Sequence, residues 1–94
     1  MYEMKPTSRF KRDLKYIAQR GYDLRLLTAV IQMLASGQPL AEKNKDHALS
    51  GVCSKHRECH VTLDWLLIYK VEHDILILTL TRPSLATKLP NIYL

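Results

Sequence analysis

His47, Glu58, His60, Asp64 and Arg82 have side chains that together could move protons and meet negative charge. Histidine suits either direction of proton transfer, because its unperturbed pKa lies near neutrality. Two histidines, a carboxylate and nearby cations are what RNA cleavage without a metal requires. One group deprotonates the ribose 2′-OH and another protonates the leaving 5′ oxygen. Cations stabilise the charge that builds on the phosphorane. The plainer alternative makes His47 and His60 ordinary surface or hydrogen-bonded residues, since structural networks hold such groups too.

A second chemistry is written over the same stretch. Cys53, His56, Cys59 and His60 supply four zinc-type ligands within eight residues. Strand alternation sends Cys59 and His60 to opposite faces, however, so the four cannot easily converge. Trp65 suits stacking on a base or, equally, closing the edge of a core. Lys11, Arg12 and Lys15, with Arg9, form a basic helix face that suits tracking phosphates or simply facing solvent. Lys45, Lys55 and Arg57 flank the histidines as further candidate RNA contacts.

The elements that must position these groups can be read from periodicity. Tyr2–Lys5 reads as a short edge strand stopped at Pro6. Thr7 or Ser8 caps a helix to about Arg20, with Phe10, Leu14 and Ile17 on its apolar face. Gly21 ends it. Asp23 caps a second helix to about Ser36, burying Leu27, Val30, Ile31 and Leu34. The short turn between them predicts an antiparallel helical hairpin. Residues 38–50 read as a polar loop. Strands come next over Arg57–Thr62, Trp65–Val71 and Ile75–Thr81, joined by turns at Leu63-Asp64 and Glu72–Asp74. In the first, Arg57, Cys59 and Val61 share the core face, and Glu58, His60 and Thr62 share the outward one. Helices succeeded by an antiparallel meander predict an α+β domain with both helices on one sheet face. Beyond Arg82 the period is lost, and 83–94 reads as a divergent, loosely packed tail.

Composition sets the bounds. Ninety-four residues with 47% hydrophobic and 24% charged side chains suit one soluble domain. No apolar run approaches the roughly 20 residues of a membrane helix. The charged N-terminus does not read as a secretory signal, so a cytoplasmic location with reduced thiols is expected. A net charge of +5 favours an anionic partner.

Taken together, KDHALSG, then HRECH, then LDWLLIYKV resemble the YafQ branch of the RelE/ParE toxin superfamily. There a K/D-H-x-L-x-G loop, an R-[DE]-x-H strand and a P-D-W-x-L-[IV]-Y strand recur in this order and spacing. The resemblance spans about residues 1–82 and implies a RelE-like fold, a helical hairpin on a small, mainly antiparallel twisted sheet. It implies a type II toxin: a ribosome-dependent endoribonuclease that cuts mRNA without metal or other cofactor. Its partners would be the ribosome, mRNA and a cognate antitoxin, acidic and partly disordered. His47, His60 and Asp64 fall on catalytic positions, Glu58 stands where many members have Asp, and Arg82 matches the arginine ending the last strand. The chain departs from the pattern after Arg82. Ala86 stands where relatives carry a final catalytic histidine, which implies weakened activity. The alternative is a relative that binds antitoxin or ribosome without cleaving RNA. A ParE-like gyrase poison is disfavoured, because it would leave the histidine-rich strand without a purpose.

Overall fold

Thr7 sets the junction on which the fold turns. Its backbone is extended, at φ −75° and ψ 165°, and its Oγ1 accepts from the Phe10 amide at 3.1 Å. That N-cap starts helix α1 (Ser8–Gln19) immediately after the short strand β1 (Glu3–Pro6). Phe10, Asp13 and Ile17 are buried along α1. Gly21, at φ 82°, takes the left-handed conformation that closes the helix. Asp23 then accepts from the Arg25 amide and caps α2 (Leu24–Ala35), which buries Leu27, Val30, Leu34 and Ala35.

The computed structural model describes residues 1–49 and 55–83, apart from the side chain of Arg82. Beyond the helices lie β2 (His47–Ala48), β3 (Arg57–Thr62), β4 (Trp65–Glu72) and β5 (Ile75–Pro83). They form a five-stranded sheet in the order β1-β5-β4-β3-β2. β1 runs parallel to β5, and the remaining pairs are antiparallel. α1 lies against β5 and α2 against β3, so both helices cover one sheet face. Phe10, Ile17, Leu27, Val30 and Leu34 meet Cys59, Trp65, Leu67, Leu76 and Leu78 there in one core. No helix among the described residues is long and apolar enough to cross a membrane.

The expected α+β architecture, with an antiparallel meander and both helices on one sheet face, is present. The predicted polar loop, however, contains a 3-10 turn (Glu42–Asn44) and β2, neither foreseen. A two-residue strand has no hydrophobic period to detect; it exists because β3 offers its edge.

Two bulges change which side chains share a face. Between β3 and β4, His60 pairs with Leu66 but Thr62 with Trp65, so Val61 is the extra residue. Opposed residues share a face, and Thr62 therefore leaves the His60 face on which alternation placed it. Between β4 and β5, Ile68 pairs with Leu80 and Tyr69 with Leu78, which leaves Thr79 unpaired. The bulge inverts the phase of β5. Leu76 and Leu78 pack toward the helices, while Leu80 joins Ile68 and Leu49 on the other face. Thr7 holds this point from both sides: its amide donates to Leu78 O at 2.9 Å and its hydroxyl to Thr79 O at 2.6 Å.

Candidate active site

The site begins at Lys45, whose φ of 47° turns the chain sharply out of the 3-10 turn. Asp46 fixes that turn to the sheet. Its Oδ1 accepts from the Tyr69 hydroxyl at 2.6 Å and from Arg57 Nε at 3.1 Å. Arg57 and Tyr69 are cross-strand partners on the helix side, so the anchor lies on the face opposite the histidines. Burial, then the bond to Asp46, holds the Tyr69 phenol well above its usual pKa. Arg57, foreseen as an RNA contact, is occupied as part of this anchor.

With Asp46 held, β2 pairs His47 directly with Glu58. His47 Nδ1 lies 2.7 Å from Lys45 O, and a carbonyl only accepts, so Nδ1 carries a hydrogen. Nε2 lies 3.2 Å from Glu58 Oε1. A hydrogen bond there needs one further proton, shared between imidazole and carboxyl. The Glu58 side chain is 7% exposed and that of His47 49%. A carboxylate so buried is tolerated only beside a positive partner. Sequence alternation pointed Glu58 outward; it is on the expected face but enclosed.

His60 lies two residues along β3, on the same face, about 7 Å from Glu58. Its Nδ1–H donates to Leu63 O at 3.1 Å, leaving the Nε2 lone pair available in the neutral ring. Asn44 Nδ2 donates to His60 O at 2.6 Å and ties the 3-10 turn to the strand. Asp64 sits in the β3–β4 turn, where its Oδ1 accepts from the Thr62 hydroxyl at 3.3 Å. It shares the His60 end of the hairpin but not the His47–Glu58 row. In register, the backbone of Arg82 stands opposite Leu66, which itself pairs with His60. The bulge at Thr79 sets that phase. The Arg82 side chain, Cys53 and Ala86 lie outside the described residues.

The remaining sequence candidates separate from this cluster. Trp65 is 1% exposed, so it cannot stack on a base. Its Nε1–H donates to Thr81 Oγ1 at 2.8 Å, and its ring lies 5.2 Å from that of Tyr22 in the helix-side core. Lys11, Arg12 and Lys15 are exposed on α1, the layer that covers the opposite sheet face. They line a different surface from His47 and His60. Lys45 and Lys55 are exposed near the β2–β3 pair. Cys59 is buried on the helix side, where desolvation pushes its thiol up to about 12, which makes it a poor ligand or nucleophile. Among the described residues no cluster of three or more His, Cys, Asp or Glu could hold a metal.

Sequence reasoning missed Asp46, Tyr69 and Asn44, which position the histidines without being reactive. The aspartate directly before His47 was the available signal; the tyrosine that binds it lies 23 residues on.

A sequence model of the family described as bacterial toxin of type II toxin-antitoxin system, YafQ, matches residues 2–87. The mRNA interferase toxin YafQ of Escherichia coli K12 is 32% identical over 71 residues, covering 74% of this chain and 77% of that protein. A metal-bound toxin from Helicobacter pylori superposes with a TM-score of 0.85 at 37% identity, over 94% of this chain and all (100%) of that one. YafQ in the E. coli DinJ-YafQ complex superposes with a TM-score of 0.84 at 29% identity, over 92% and 97% of the two chains.

Proposed function

The chain belongs to the YafQ family of bacterial toxins of type II toxin–antitoxin systems, and from that premise we propose that it is a ribosome-dependent endoribonuclease cleaving mRNA. One observation carries the reading: both histidines give Nδ1–H to backbone carbonyls, so that Nε2 is each ring's working nitrogen on one sheet face.

His60 Nε2 removes the proton from the ribose 2′-OH, and that oxygen attacks the adjacent phosphorus. The bond from phosphorus to the 5′ oxygen breaks as His47 protonates the leaving oxygen. The product ends in a 2′,3′-cyclic phosphate. Glu58 holds the proton that His47 delivers and stabilises the imidazolium beforehand. Asp64 adds negative charge near His60, favouring the cation formed as it accepts its proton. Arg82 and Lys45 meet the phosphorane charge. The steps use side chains alone and need no metal. Ala86, in place of the histidine expected from the resemblance, makes the chemical step slower than in a fully equipped relative. The same substitution favours the second reading, a relative that binds antitoxin or ribosome without cutting RNA.

By analogy with E. coli YafQ, which is found in complex with DinJ, the partner is a cognate antitoxin. A net charge of +5 suits an acidic, partly disordered chain that wraps the toxin. The decisive experiment expresses the chain without antitoxin and maps cuts in translated mRNA. Cuts that vanish in His60→Ala support the cleavage reading; translation arrest with intact mRNA would select the non-catalytic one.

A further inference from the structure

One row further along β3 from Glu58, the same sheet face carries a pocket that no step above uses. Lys5 pairs with Ile77 and Ile77 with Lys70. Lys70 alternates in phase with Leu66 and Ile68, as His56 does with Glu58 and His60. These four residues, with Pro6 and Thr79, line a cavity of about 340 Å³. It exists because of the bulge: Thr79 has no partner across β4, so the ladder opens there.

Two polar atoms in its wall are buried without a hydrogen-bond partner among the described residues, His56 Nδ1 and Thr79 Oγ1. Buried polar groups are rarely left so, and each orphan calls for an occupant or an explanation. Desolvation, and then the nearby Lys70, lowers the His56 pKa, so the ring is neutral and able to accept as well as donate. Lys5 is exposed, and Lys70 holds Glu72 at 3.3 Å with its side chain still partly open to solvent. Ile77 and Pro6 give the pocket an apolar wall. A flat ring with hydrogen-bonding edges and an attached anion matches this combination.

We propose that this pocket is a subsite for one unpaired nucleotide of the RNA, its base edge bonded to His56 Nδ1 and the Thr79 hydroxyl and its phosphate at Lys5 and Lys70. The proposal rests on the chain's being an RNA-cleaving toxin and adds to that reading where the strand runs. The pocket lies about 7 Å from Glu58 and about 13 Å from His60 along β3. A nucleotide held there fixes the register of the strand over the two histidines.

The test titrates the chain with a short 2′-O-methyl RNA, which cannot be cleaved, while NMR follows the three rings of His47, His60 and His56 and the methyl of Thr79. The RNA is expected to shift all four. Thr79→Val and His56→Ala should each weaken binding about tenfold while His47 and His60 still respond. Among the described residues neither atom has a hydrogen-bond partner to lose, so both variants are expected to keep the fold, which circular dichroism checks. Shifts at His47 and His60 with none at His56 and Thr79 would overturn the subsite and leave the cleavage reading standing. Inorganic phosphate reproducing the shifts at His56 and Thr79 would reduce the pocket to an anion site and also overturn it. Binding at His56 and Thr79 by a chain that cuts no mRNA on ribosomes would support the pocket as an RNA contact and overturn the cleavage reading instead.

Discussion

Replacing Thr7 with Val tests whether one side chain couples the helix start to the site. The shapes are nearly equal, so the change removes two hydrogen bonds and little packing. The first is the N-cap to Phe10 N at 3.1 Å, worth about 1 kcal/mol in comparable helices. The second is the donor to Thr79 O at 2.6 Å, worth about another 1 kcal/mol in a partly buried setting. Together they predict a loss of about 2 kcal/mol. At a urea slope of about 1–2 kcal/mol/M for a domain this size, the midpoint should fall by about 1–2 M. Thr7→Ser keeps both bonds and should lose less than half as much. The same contact holds the bulge that sets the phase of position 82. Thr7→Val should therefore lower kcat for ribosomal cleavage beyond what unfolded protein accounts for, with KM nearly unchanged. A midpoint shift below about 0.3 M would refute the reasoning, because the two bonds would then be exchanged with water at no cost.

Glu58→Gln keeps the size and a hydrogen bond but removes the charge that supports protonated His47. Cleavage should fall about 10²-fold, read from single-turnover rates. Tyr69→Phe leaves Asp46 with Arg57 alone; stability should drop by about 1–2 kcal/mol in urea, and the His47 ring resonances should move. The Cys59 thiol is raised to about 12 from 9.0 by burial. An acid with a raised folded pKa contributes stability that is complete below the unfolded value and lost as pH rises. Stability should therefore decline from about pH 9 toward pH 12, with Tyr69 acting in the same direction, and Cys59→Ala should flatten part of that slope in urea midpoints. Native Cys59 should also resist iodoacetamide until the chain is unfolded, as peptide mapping would reveal.

The parts of the fold set by period and capping could be read directly. Phe10 and Ile17 at i and i+7, Asp23 before an apolar stripe, and Gly21 after the first helix each have a local cause within four to seven residues. The bulges do not. Nothing in ILILTLTRP distinguishes Thr79 from Thr81, since both are β-branched and alternate with leucine. Thr79 becomes the extra residue because Thr7, 72 positions earlier, binds Thr79 O. A straight reading of that strand puts positions 76, 78, 80 and 82 on one face, against the helices, and buries an arginine. The non-local hydrogen bond resolves a conflict that the alternation pattern itself creates.

The same distinction runs through the site. His60 and Glu58 were legible because β3 keeps its alternation up to the bulge at Val61. His47 could be chosen by residue type, but its geometry depends on the Lys45 turn, on Asp46 and on a strand of two residues. Trp65 shows the converse. An aromatic beside a charged turn invites a binding role, yet its indole N–H has a hydroxyl partner in the core, and burial decides the matter. For the chemistry, the two histidines are not equivalent. With Nδ1–H on Leu63 O, His60 presents Nε2 as an acceptor, whereas Nε2 of His47 lies 3.2 Å from the buried Glu58 carboxyl. A general base must begin unprotonated and a general acid must begin loaded. On the proposed cleavage reading, the neighbours of each ring suit His60 to the first role and His47 to the second, and the histidine missing at position 86 slows a step that these two still carry.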